Sequence, residues 1–95
     1  MLGTPVGRRR LTILEWLKDP ATHFPPQPPG DLPADGVTAG AIAAKLGVPL
    51  ALVETDLRLL VAVGVLRVRR IRRRAYYRRD EVRIAEVARM FEKGW

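Results

Sequence analysis

The sequence contains no cysteine. Disulfide scaffolds, thiolate metal sites, iron–sulfur clusters and cysteine nucleophiles are therefore excluded. There is one histidine, His23, which stands among prolines. No nucleophile–base set, carboxylate–histidine cluster or phosphate-binding loop can be assembled from these residues, so neither an enzyme nor a metal or cofactor is expected. No apolar run approaches the ~20 residues that a membrane span needs. The opening Met-Leu-Gly-Thr-Pro-Val-Gly-Arg-Arg-Arg puts its charges after a very short apolar start, which is not the order of a secretory signal. The expectation is a cytoplasmic protein without a membrane partner.

What is present is arginine, and it is clustered. Residues 67–79 hold eight arginines, two tyrosines and no acid. Residues 1–64 carry six basic and six acidic side chains, residues 65–95 eleven and four, so the formal charge of +7 sits in the last third. A local excess of this kind favours an anionic partner over general solubility. The 95 residues allow one small domain.

Residues 1–7 read as a flexible tail and 8–19 as a helix with Ile13, Leu14 and Leu17 on one face, ended by Pro20. Residues 20–36 form a strap; the five prolines and two glycines of 21–36 predict irregular structure. Thr38 suits the cap of a helix over 39–46, and Gly47 its left-handed end. Pro49 opens a helix reaching about residue 63, with Leu52, Val53, Leu57, Leu60 and Val61 as its apolar stripe. A hairpin is predicted over 65–79, with strands at 66–71 and 75–78 and the turn at 72–74, although that turn lacks Gly, Asn and Asp. Asp80 caps a last helix, 81–93, whose apolar face carries Ile84, Val87, Ala88 and Phe91, with Trp95 beyond.

The middle of the chain has the spacing of a helix-turn-helix. Ala43 is small where two helices cross, Gly47 permits the tight turn, and Ile42, Leu46, Val48, Val53 and Leu57 seal the crossing. The second helix is then held out as a ridge suited to a major groove, and the basic hairpin follows as a wing.

With these residues in place the chain resembles the ArsR-like winged-helix transcriptional regulators. The resemblance runs through Ile13-Leu-Glu-Trp-Leu-Lys-Asp-Pro, His23-Phe-Pro-Pro-Gln, Ile42-Ala-x-Lys-Leu-Gly-Val, Leu57-x-x-Leu-x-x-x-Gly-Val-Leu and Tyr77-Arg-Arg-Asp-Glu-x-Arg-Ile. It implies a mainly α fold with a small β-hairpin, dimerised through the first and last helices. It also implies binding of double-stranded DNA, and regulation relieved by an effector. Two departures stand out. Metal sensing in that family uses clusters this chain lacks. The polar run that usually begins the recognition helix is replaced by Pro49-Leu-Ala-Leu-Val-Glu-Thr-Asp, which puts Glu54 and Asp56 near the groove.

The expected DNA contacts are Thr38, Leu50, Ala51, Glu54, Thr55 and Arg58 on the helical motif and Arg67, Arg69, Arg70, Arg72, Arg73 and Arg74 on the wing. Leu11, Leu14, Ile84, Val87 and Phe91 are the expected homodimer seam. Trp16, His23 and Phe24 are candidates for a small-molecule effector pocket. The alternative is a winged-helix module whose acidic recognition helix or proline-rich strap holds another protein.

Overall fold

The computed structural model describes residues 5–26, 28–30 and 32–92, and the side chains of all of these except residues 5, 6, 33, 91 and 92. The element order is α1 (Pro5–Lys18), α2 (Pro20–His23), α3 (Leu32–Asp35), β1 (Val37–Thr38), α4 (Ala39–Leu46), α5 (Leu50–Ala62), β2 (Leu66–Ile71), β3 (Arg74–Arg79) and α6 (Glu81–Glu92). The chain is thus mostly helical with one small antiparallel sheet in the order β1-β3-β2, an architecture compatible with a winged helix. No helix among the described residues is long and apolar enough to cross a membrane.

α1 starts three residues before the expected position. Pro5–Gly7, read above as tail, belong to its first turn, where a proline's missing amide costs nothing. Residues 1–4 lie outside the described residues. Ile13 and Leu17 point inward and are buried with Ile42, Val53, Leu57 and Leu66 in the single core.

The strap is more regular than its prolines suggested. Pro20 opens the one-turn helix α2, closed by the Phe24 amide donating to the Pro20 carbonyl at 2.9 Å. Phe24 and, from α3, Leu32 fill the core from this side. The strap then leaves α3 through Gly36, whose φ of 104° and lack of a Cβ are both needed: a Cβ there would lie 2.0 Å from the Tyr77 carbonyl oxygen. That close approach lets β1 form, pairing Val37 with Tyr77 and Thr38 with Tyr76. This third strand was not foreseen, because two residues have no periodicity of their own.

β2 and β3 pair from Leu66↔Arg79 to Ile71↔Arg74. The turn is therefore the two residues Arg72-Arg73, and β3 begins and ends one residue beyond the expected strand. With no glycine or asparagine available, Arg72 takes the left-handed conformation at φ 59°. Asp80 caps α6 as expected, its Oδ1 accepting from the Arg83 amide at 3.0 Å. None of the described side chains of α6 is fully buried.

Candidate nucleic-acid interface

The helical motif is set by two local devices. The Thr38 hydroxyl accepts from the Ala41 amide at 3.3 Å and starts α4. Gly47, at φ 70°, ends it, with its amide on the Ala43 carbonyl at 2.9 Å. Pro49 has an extended ψ of 142° and caps α5 from outside, so the helix starts at Leu50 and not at Pro49.

α5 buries Val53, Asp56, Leu57 and Leu60. Ala51, Glu54, Thr55 and Arg58, spaced i, i+3, i+4 and i+7, form the opposite, exposed stripe. Asp56 is thus not near the groove. It is fully buried and paired with two arginines of α1: Arg9 through Nε on Oδ2, and Arg10 through Nε on Oδ1 at 3.0 Å. The hydrogen bond to Asp56 also raises the Arg9 guanidinium above its ordinary pKa. An uncompensated carboxylate could not be buried here, and the Arg-Arg pair on α1 makes its burial feasible. Of the two acids expected at the groove, only Glu54 faces outward.

The hairpin divides its arginines by strand alternation. Leu66, Val68 and Arg70 face one side with Ala75, Tyr77 and Arg79 of β3. On the other side Arg67 is bonded to Asp80 at 2.9 Å, and Arg69 to Asp35 of α3 at 3.0 Å. Tyr76 is buried on that same side, its hydroxyl accepting from the Gly30 amide at 3.2 Å. Arg67 and Arg69 are therefore not the free phosphate donors expected of them; the strap and the α6 cap supply their acids. Among the described residues, Arg70, Arg72, Arg73 and Arg74 form no ion pair.

Those four arginines stand next to α5. A cleft of about 440 Å³ opens between Thr38, Gly40, Leu50, Arg70, Arg73 and Arg74, with Glu54 in its wall. A second, of about 360 Å³, carries Glu54 and Arg70 onward to Arg58 and Val68. Val68 and Gly40 were not singled out from the sequence. Val68 could have been, since it lies two residues from Arg70 and so on the same face. Arg79 has a bracing place instead: it donates to the Leu14 carbonyl at 3.0 Å and pairs with Glu81 at 2.9 Å.

Trp16, His23 and Phe24 do come together. Trp16 meets Phe24 edge-on, at 6.0 Å and 81°, and His23 at 6.1 Å. Lys45 Nζ lies 5.0 Å from the Trp16 ring and 5.8 Å from that of Phe24, a cation–π arrangement. The larger clefts are lined by other residues. Of the expected seam, Leu11 is 68% exposed, Leu14 packs at the edge of the core, Ile84 and Val87 are half-buried, and the Phe91 side chain lies outside those described.

No protein-family model matches the chain. It is 37% identical over 79 residues to a Bacillus subtilis (strain 168) protein named as the uncharacterized HTH-type transcriptional regulator YbzH, a match that covers 83% of this chain and 79% of that protein.

Proposed function

Because the chain belongs to the family of HTH-type transcriptional regulators, we propose that it is an ArsR-like winged-helix regulator that binds double-stranded DNA as a cytoplasmic homodimer. In this reading α4 and α5 are the helix-turn-helix, residues 65–79 the wing, and residues 80–93 the helix that joins α1 in the dimer. α5 enters the major groove while the wing follows the flanking backbone. Arg70, Arg72, Arg73 and Arg74 hold phosphates, Thr38 lies at the lip of the same cleft, and Leu50, Ala51, Glu54, Thr55 and Arg58 meet base edges or the adjacent backbone. Arg67 and Arg69 brace the hairpin from behind.

The observation that carries this reading is the placement of those four wing arginines beside the exposed stripe of α5. Arg72 adds to it. An arginine in the left-handed conformation costs on the order of 1 kcal/mol relative to glycine, so its side chain is retained at some expense to the fold. The protein-interaction alternative drew on two outward acids; with Asp56 turned inward it has one. Trp16, His23 and Phe24 are better explained as packing, and the reading assigns no effector to them.

A mobility-shift titration in salt tests the proposal. Several phosphate contacts predict a steep fall in affinity between low and moderate salt. Changing Arg72, Arg73 and Arg74 together to Ala is expected to weaken binding to every duplex and to lower the log–log salt slope by about three, roughly one per lost contact. Unchanged affinity would remove the wing from the account. Absent DNA binding by the folded protein would leave the protein-interaction reading in its place.

A further inference from the structure

We propose that α5 recognises thymine by its 5-methyl group, through the methyls of Ala51 and Thr55 with Leu50 beside them. The inference rests on the DNA-binding reading and deepens it by naming what the recognition helix reads.

Residues 50–55 are Leu-Ala-Leu-Val-Glu-Thr, the start of the helix, which is the part of a recognition helix that meets base edges. Val53 faces the core. Of those turned outward toward the wing side, Leu50 and Ala51 offer only carbon. The Thr55 hydroxyl already donates to the Ala51 carbonyl at 3.0 Å, so its hydrogen is committed within the helix and the γ-methyl is what remains for a partner. Glu54 offers an acceptor and no donor. Guanine presents two acceptors in the major groove, N7 and O6, and reading them needs a donor that these turns lack. A T·A pair presents a methyl from thymine and an N6 amino donor from adenine. Methyls beside one carboxylate match that pattern, and the methyl distinguishes it from C·G, whose cytosine N4 the same carboxylate could also accept. Leu50 is 46% exposed at the mouth of a cleft walled by Arg70, Arg73 and Arg74. An apolar side chain there is placed to meet carbon on a ligand whose phosphates those arginines hold.

The test uses the full chain. Duplexes are selected from a random pool at moderate salt, and the tightest is remade with deoxyuridine at each thymine in turn, which removes the 5-methyl and nothing else. The selected duplexes are expected to share thymines in each half-site. At contacted positions deoxyuridine is expected to weaken binding about three- to fourfold, the factor that burial of one carbon supplies. Thr55→Ser should abolish the thymine–deoxyuridine difference at one of those positions and Thr55→Val should keep it, a double-mutant comparison between methyl and methyl. Equal binding of the thymine and deoxyuridine duplexes, or selection without thymine preference, overturns the inference. If every duplex binds alike with a steep salt slope, DNA binding stands and the thymine reading alone falls. If no duplex binds, both fall.

Discussion

Asp56 stands three residues after Val53 and four before Leu60, so helical geometry alone places it on the buried side of α5. It holds Arg9 and Arg10 of α1 to the recognition helix. Removing one partner of a buried ion pair leaves the other charge without compensation and costs about 3 kcal/mol or more. For a domain of this size that corresponds to a fall in Tm of roughly 12 °C or more. Asp56→Ala is therefore expected to show such a fall by calorimetry, whereas Glu54→Ala, on the exposed stripe, should change Tm by about 2 °C or less. Equal small effects would mean that the carboxylate is not buried against the two arginines. The inward turn of Asp56 was legible in principle, since it fills the gap between Val53 and Leu57 in the apolar stripe. An acid in that gap was instead taken as facing outward, because its partners lie more than forty residues away on α1. The same limit hid the pairing of Arg69 with Asp35, whereas the exposed stripe of Ala51, Glu54, Thr55 and Arg58 followed from spacing alone.

At the scale of elements, those governed by neighbours in sequence were the readable ones. Thr38 and Gly47 fixed the ends of α4, Gly64 followed α5, and Asp80 preceded α6, each through a bond within a few residues. β1 depends on a strand forty residues away, and α2 and α3 are single turns held by core contacts of Phe24 and Leu32, so neither had a local signature. The α6 cap is also the element most exposed to acid. The Arg83 amide, and next the Arg67 side chain, hold the Asp80 carboxyl below its ordinary value of 3.8. A depressed carboxylate contributes its stability in full above the ordinary value and loses it as pH falls through the folded-state value. Acidification below about pH 4 is therefore expected to loosen both the start of α6 and the Arg67 side of the wing. Asp80→Asn should lower stability near neutral pH and flatten the decline of Tm between about pH 5 and pH 2 relative to the parent. A variant whose Tm follows the parent curve throughout would show that this cap contributes nothing to folding.

For the whole molecule, the unfinished surface is that of α1 and α6. α5, nearly the same length as α6, buries four side chains; the described part of α6 buries none. A helix with an apolar face of Ile84 and Val87 and no cover within its own chain does not reach the burial that usually stabilises helices in proteins. α1 presents Leu11 on the side away from Ile13 and Leu17, 68% exposed. A second copy bringing its own α1 and α6 would cover both faces by a two-fold contact, and small chains gain most from such added burial. It would also set two α5 helices at a fixed separation, which is what a two-half-site operator requires. Leu11→Glu combined with Val87→Glu puts four like charges into that seam while leaving the core intact. Sedimentation is expected to show a dimer for the parent and a monomer for the variant, with helix content retained by circular dichroism. DNA affinity should fall at the same time, because each monomer keeps its wing but loses the second half-site. A variant that stays dimeric would place the two-fold axis elsewhere on the molecule, and with it the spacing of the two recognition helices.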